Sequence, residues 1–217
     1  MLKEKRNEII ITTVVSLLPL VIGLLLWNKL PDQLPVHFNY SGVADNYYPK
    51  ARAVIMIGLF MPLMHLLCIF GTFSDPKIKA VSDKVINLLL WIVPIISVLI
   101  CFLIYGETFG INMDVTFVMT ILIGLVYIVI GNYLPKCKQN YTVGIKCPWT
   151  LNDKENWDKT HRFSSYVFMI CGVIFLLSLF FRNNIGSYII VTTLIFSGIL
   201  PFIYSYMLYR KKNKNSI

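Results

Sequence analysis

Six stretches of this 217-residue chain contain no Asp, Glu, Lys or Arg: Ile9–Trp27, Ala53–Phe73, Val85–Tyr105, Val115–Leu134, Phe163–Phe181 and Tyr188–Tyr209. Their lengths are 19, 21, 21, 20, 19 and 22 residues. A helix needs roughly 20 apolar residues to cross the hydrocarbon core of a bilayer. In lipid the backbone must satisfy its own hydrogen bonds, which leaves only helices and closed barrels. A barrel would alternate polar and apolar residues over segments of about 10, and no such pattern is present. The chain therefore reads as an all-α, polytopic membrane protein: a single domain, 1–217, with six transmembrane helices. Charged residues make up 14% of it, against about a quarter in a soluble domain.

Lys3, Lys5 and Arg6 before the first run resemble a signal-peptide start. The run exceeds the roughly 7–15 residues of a cleaved signal, and NKLPDQL after it has no small-x-small site, so an uncleaved span is expected. Five cysteines, three of them inside apolar runs, form no paired framework of the kind a disulfide scaffold shows.

Positive charge sets orientation, because Lys and Arg accumulate in short cytoplasmic segments. With the amino terminus inside, cytoplasmic segments hold 16 of the 20 Lys and Arg and outer segments hold four. Both termini are thus expected in the cytoplasm. The net charge of +9 follows from that asymmetry and from attraction to anionic membrane lipid, with no need of nucleic acid as a partner.

Two connectors carry most of the polar chemistry. The extracytoplasmic one, 28–52, reads NKLPDQLPVHFNYSGVADNYYPKAR. Pro31, Pro35 and Pro49 block helix continuation, and Ser41-Gly42 marks a turn. Tyr40, Tyr47 and Tyr48 suit a membrane interface. It is either an ordinary interfacial loop or an outer surface that meets a ligand. Its length of about 25 residues is above the usual range for a simple connection.

The cytoplasmic connector, 136–162, starts irregularly, with Gly144 and Pro148 as breakers. Asn152 and Glu155 have capping-box spacing, and from Asp153 a helix is expected to run into the fifth span. Trp157 and His161, four apart, share one face; Lys154, Asp158 and Arg162 share its neighbour. The pattern describes an interfacial helix with Trp149 and Trp157 as anchors. It serves either as a well-made juxtamembrane turn or as a docking surface.

Catalytic and cofactor motifs are missing. Cys137, Cys147 and His161 are separated by nine and thirteen residues, without the short pair a zinc site uses. There is no HExxH, GxSxG or P-loop. No enzyme activity, metal or cofactor is expected, and His161 acting as a base without a paired nucleophile is the weakest reading. Within the spans, His65 is the ionisable side chain that stands out, a functional candidate by default or a histidine bonded to a neighbouring helix. Pro19, Pro62, Pro94 and Pro201 lie mid-span; such helices also fit the alternative reading, a small membrane transporter or exporter. Asn39-Tyr40-x-Gly42 faintly echoes Asn140-Tyr141-x-x-Gly144, as an inverted three-span repeat would.

The motif LP-x-x-LP-x-HFN-x-x-G-x-x-D at Leu30–Asp45, with Lys50 after it, resembles the small domain of unknown function that opens members of the SdpI family. GNYLPK at Gly131–Lys136, N-x-x-x-GIKCPWTL at Asn140–Leu151 and W-x-KTHR at Trp157–Arg162 resemble that family's central signature. The resemblance implies a six-span immunity protein in the bacterial cytoplasmic membrane that protects against a secreted peptide toxin. It further implies a receptor role, in which toxin engagement lets the protein hold a cytoplasmic transcriptional repressor at the membrane. By resemblance, the outer ligand site comprises Pro35, His37, Asn39, Tyr40, Gly42, Asp45 and Lys50. The inner partner site comprises Asn132, Asn140, Gly144, Lys146, Pro148, Trp149, Thr150, Trp157, Thr160, His161 and Arg162. The chain departs from the family pattern at Lys146 and Cys147, where Arg and Thr are usual, and at Ser164-Ser165, where a glycine pair is common. Lys keeps the charge but loses the two-pronged hydrogen bonding of Arg.

Overall fold

The computed structural model describes residues 3–39, 41–111, 113–181 and 184–214. In chain order it has α1 (Arg6–Leu25), β1 (Gln33–Phe38), β2 (Ala44–Pro49), α2 (Lys50–Phe73), a 3-10 turn (Ile78–Ala80), α3 (Asp83–Thr108), α4 (Val115–Tyr133), a 3-10 turn (Leu134–Lys136), α5 (Pro148–Asn152), α6 (Lys154–Ser178) and α7 (Asn184–Lys214). Six of the helices are long and apolar enough to cross a membrane, one for each charge-free run. The helices overrun those runs where the chain meets polar surroundings: α6 starts nine residues before Phe163, and α7 continues five beyond Tyr209. Pro19, Pro62, Pro94 and Pro201 all lie inside helices. Large apolar side chains such as Phe60, Phe70 and Phe196 face outward, as expected where lipid is the solvent.

The expected irregular outer loop is instead an antiparallel hairpin, the one departure from an all-α chain among the described residues. Leu34, Val36 and Phe38 alternate onto one face, where they join a core with Leu30, Ala53, Val54, Cys101, Ile104 and Tyr105. The prolines shape this ribbon without preventing it. Pro35 sits beside a register irregularity between Pro35 and His37, which suits a residue with no N–H to give the ladder. Pro49 ends β2 and leads without a linker into α2.

The contacts gather into two compact units, Met1–Ser74 with Ile86–Val118, and Asp75–Val85 with Met119–Ile217. In the first, the Lys5 ammonium donates to Asn87 Oδ1 at 2.6 Å, Ser97 Oγ donates to the Ser16 carbonyl at 3.1 Å, and Tyr105 Oη donates to the Pro19 carbonyl at 3.2 Å. In the second, Val167, Cys171 and Phe175 form the buried centre, packed by Ile123, Tyr127, Phe163 and Ile190. Small residues bring α4 and α6 together: a methyl group on Gly124 would lie 3.0 Å from the Gly172 carbonyl, and one on Gly131 would lie 2.9 Å from the Ser165 carbonyl. This is the close backbone approach that membrane helices use in place of hydrophobic association.

Candidate functional site

The hairpin tip is built around Asn39. Its Oδ1 accepts the Ser41 and Val43 N–H groups at 2.9 and 3.1 Å, and its backbone N–H donates to the Val43 carbonyl at 2.9 Å. Gly42 follows with φ of 76°, a conformation that glycine adopts without steric cost. Thr116 Oγ1 donates to the Asn39 carbonyl at 3.4 Å. At the base, the Lys50 ammonium donates to the carbonyls of Trp27 and Leu30, each at 3.3 Å. It thereby caps the chain leaving α1, where a cation complements the helix dipole. Pro35 is buried. Four of the sequence candidates, Pro35, Asn39, Gly42 and Lys50, are therefore framework. The exposed pair is His37 and Asp45, joined by a 2.5 Å bond from Nδ1 to Oδ1. Tyr40 lies outside the described residues.

The second polar structure is a network in residues 137–161, closed by hydrogen bonds on all sides. Asn140, fully buried, uses both ends of its amide: Nδ2 donates to the Lys138 and Val143 carbonyls at 2.8 and 3.0 Å, and Oδ1 accepts the Thr142 and Val143 N–H groups at 2.9 and 2.6 Å. The echo between Asn39-Tyr40 and Asn140-Tyr141 thus has a mechanical basis. Each asparagine holds two nearby N–H groups with its side-chain oxygen, and each has a glycine at positive φ close by: Gly42 inside the first turn and Gly144, at 116°, just after the second.

Four-residue spacing brings Trp157 and His161 face to face, with ring centroids 4.0 Å apart and 21° between planes. Trp157 is not the interfacial anchor expected from its place in the sequence. It is fully buried, and its Nε1 donates to the Cys137 carbonyl at 2.7 Å. His161 Nδ1 lies 2.8 Å from the Trp157 carbonyl, which can only accept, so Nδ1 carries the proton. Nε2 is then the acceptor for the Ile145 N–H at 3.1 Å. A neutral imidazole with both nitrogens engaged by backbone is neither a base nor a metal ligand.

Thr150 Oγ1 accepts the Cys147 N–H at 2.8 Å and faces the Ile145 carbonyl at 2.9 Å. This capping box starts α5, with Pro148 in its first turn. Gln139 Nε2 closes the other end on the Thr150 and Leu151 carbonyls at 2.8 and 2.9 Å. The helix α6 is capped by Asp153, which accepts the Glu155 N–H at 3.0 Å, and not by Asn152, which ends α5. Lys212, donating at 2.8 Å, holds the Asp153 carboxyl below its ordinary range. Trp149, half-buried, donates to Ser205 Oγ at 2.9 Å and packs on Phe202, Tyr206 and Tyr209 of α7. Thr160 donates to Asn156 Oδ1 at 3.0 Å, and Asn156 Nδ2 donates to the Ser205 carbonyl at 2.9 Å. Burial pushes the Cys137 thiol up to about 11 and raises Cys147 as well, so neither is a poised thiolate. Lys146 and Arg162 are exposed beside the network, and Asn132, exposed near the end of α4, takes no part in it.

Asp75 has no counterpart among the sequence candidates. Nearly buried at 5% exposure, it accepts the Lys77 N–H, the Tyr141 N–H and the Thr142 hydroxyl, each at 2.8 Å. Burial raises its pKa, but these bonds together outweigh burial and leave the carboxyl below its ordinary range. The only trace in sequence is an Asp-Pro turn; beyond the local Lys77 N–H, its partners are 66 and 67 residues away.

His65 is fully buried. Thr12 Oγ1 gives its own proton to the Glu8 or Ile9 carbonyl and accepts from His65 Nε2 at 3.1 Å. His65 Nδ1 has no hydrogen-bond partner among the described residues.

The two polar structures coincide with two regions of similarity to known proteins. Residues 136–205 match the SdpI/YfhL protein family, and residues 14–61 match a domain of unknown function, DUF1648. The chain is 24% identical over 213 residues to the immunity protein SdpI of Bacillus subtilis (strain 168), covering 96% of this chain and 98% of that one. No solved structure gives a significant match.

Proposed function

We propose, from a chain that carries the SdpI/YfhL signature on six membrane-capable helices, that it is a membrane immunity protein. It confers resistance to a secreted peptide toxin and reports toxin engagement by holding a cytoplasmic repressor at the membrane. The observation that carries this reading is the pairing of the family matches with two preorganised polar structures, the 33–49 hairpin and the 137–161 network. The charge asymmetry of the connectors supports a first structure outside and a second in the cytoplasm.

The split between framework and exposed residues supports the following division of roles. The toxin meets His37 and Asp45, while Pro35, Asn39, Gly42 and Lys50 hold them in place. The repressor meets Lys146, Arg162 and the exposed edge of Trp149. Asn140, Gly144, Thr150, Trp157, Thr160 and His161 keep that surface in shape. Signalling requires that the toxin bind one arrangement of the bundle better than another.

The test uses a toxin-sensitive cell. His37→Ala with Asp45→Ala is expected to lose protection at normal expression. Lys146→Ala with Arg162→Ala is expected to keep protection and lose repressor capture. Capture that persists with both cations removed overturns the inner site. A small exporter is the rival reading, supported by the unpartnered Nδ1 of His65 among proline-containing helices. It predicts substrate flux in proteoliposomes that His65→Ala impairs.

A further inference from the structure

The ends of α6 and α7 flank a cleft beside the Asp153–Lys212 and Asn156–Ser205 contacts that tie the two helices together. Its volume is about 340 Å3, and it is lined by Asp153, Glu155, Asn156, Lys159, Leu208, Lys211 and Lys212. Because the apolar runs of these helices end at Phe163 and Tyr209, the cleft lies just beyond the hydrocarbon core, at the level of lipid headgroups. Its carboxylates are already engaged: Asp153 accepts from Lys212 at 2.8 Å, and Glu155 accepts from Lys159 at 2.6 Å. Lys211 is exposed and makes no such pair among the described residues, and Arg210 and Lys214 add to the positive charge of the same helix end.

We infer that this cleft seats the phosphodiester headgroup of an anionic phospholipid, with Lys211 and the two paired lysines around the phosphate and Leu208 against the glycerol and first methylenes. Clusters of Lys and Arg between helix ends at the membrane surface recognise such headgroups, and each cation engaged gives roughly a fivefold preference over a neutral lipid. The inference goes beyond the immunity reading and uses neither Lys146 nor Arg162.

The test is native mass spectrometry of the full chain released from nanodiscs of equal phosphatidylglycerol and phosphatidylcholine. The unaltered protein is expected to retain phosphatidylglycerol at least fivefold over phosphatidylcholine. Lys159→Gln, Lys211→Gln and Lys212→Gln together are expected to reduce that ratio to near one. Lys77→Gln, Lys79→Gln and Lys84→Gln, an equal loss of charge elsewhere, are expected to leave it unchanged. Lys211→Gln alone keeps both ion pairs, so its expected fall of severalfold reads the site without endangering the fold. Retention unaffected by Lys211→Gln and by the cleft triple, or an equal fall in the control triple, overturns the proposal. Glycerol 3-phosphate binding the detergent-purified protein as tightly as the lipid also overturns it, because the ligand would then be a soluble phosphate.

Discussion

Gly144 lies against the imidazole of His161 so closely that a methyl group on its Cα would overlap Nε2. The same nitrogen takes the Ile145 N–H, so glycine, histidine and turn form one rigid contact. Gly144→Ala adds this overlap to the strain of an alanine at φ of 116°. The expected cost is about 2–4 kcal/mol, seen as a lowered unfolding midpoint in detergent. Gly198→Ala, placed where a methyl group meets nothing within 4 Å, is expected to stay within about 0.5 kcal/mol of the unaltered protein.

Asp75 ties the turn at Tyr141 and Thr142 only as a carboxylate. Its folded pKa lies below the unfolded value of about 3.9, so its contribution is fully present above that value and is lost as pH falls through the folded pKa. Hydrogen exchange at the Tyr141 amide, corrected for the intrinsic rate, is expected to show protection at pH 6 that persists down to about pH 4 and is lost as pH falls further, through the folded pKa. Asp75→Asn is expected to weaken protection at pH 6 and to remove its pH dependence over that window. Identical profiles for the two proteins would show that the carboxylate is not what holds the turn.

The bond between Thr12 and His65 makes a clean pair for a double-mutant cycle. Thr12→Val leaves the buried Nε2–H of His65 without an acceptor and is expected to cost about 1–3 kcal/mol. Adding His65→Leu removes the stranded donor, and the orphan Nδ1 with it, so the double variant is expected to recover most of that loss. Additive losses in thermal unfolding would contradict the assignment of the proton to Nε2.

The sidedness of the two connectors is an expectation from charge counting, and labelling tests it. With native cysteines replaced, Asp45→Cys is expected to react with an impermeant maleimide from outside intact cells, and Glu155→Cys only after permeabilisation. Equal access from one side would invalidate the roles assigned to both connectors.

The spans were legible in sequence because lipid leaves a chain few alternatives, and every charge-free run became one helix. Hydropathy alone did not place their ends: the helical pattern from Asp153 foretold that α6 runs unbroken into the fifth span, but its cap is Asp153 and not Asn152, and the partners that Asn156 and Trp157 find in folded protein left no mark on the sequence. The hairpin was obscured by prolines, although Leu34, Val36 and Phe38 carried a two-residue period ahead of the Ser41-Gly42 turn. The Trp157–His161 pairing was readable from helical spacing. The burial of Trp157 was not, since an aromatic beside an apolar run looks alike whether it meets lipid or a carbonyl. Asp75 was invisible for the same reason: its value depends on a turn that is brought to it by the fold.

Lys50 reaches back to carbonyls only 20 and 23 residues earlier in the chain. During synthesis, the hairpin ladder and this clamp have all their partners before a third span has left the ribosome. A pair of helices that seals its own polar gap can pass from the translocon into the bilayer as a finished element. Later spans would then assemble against a surface already in place.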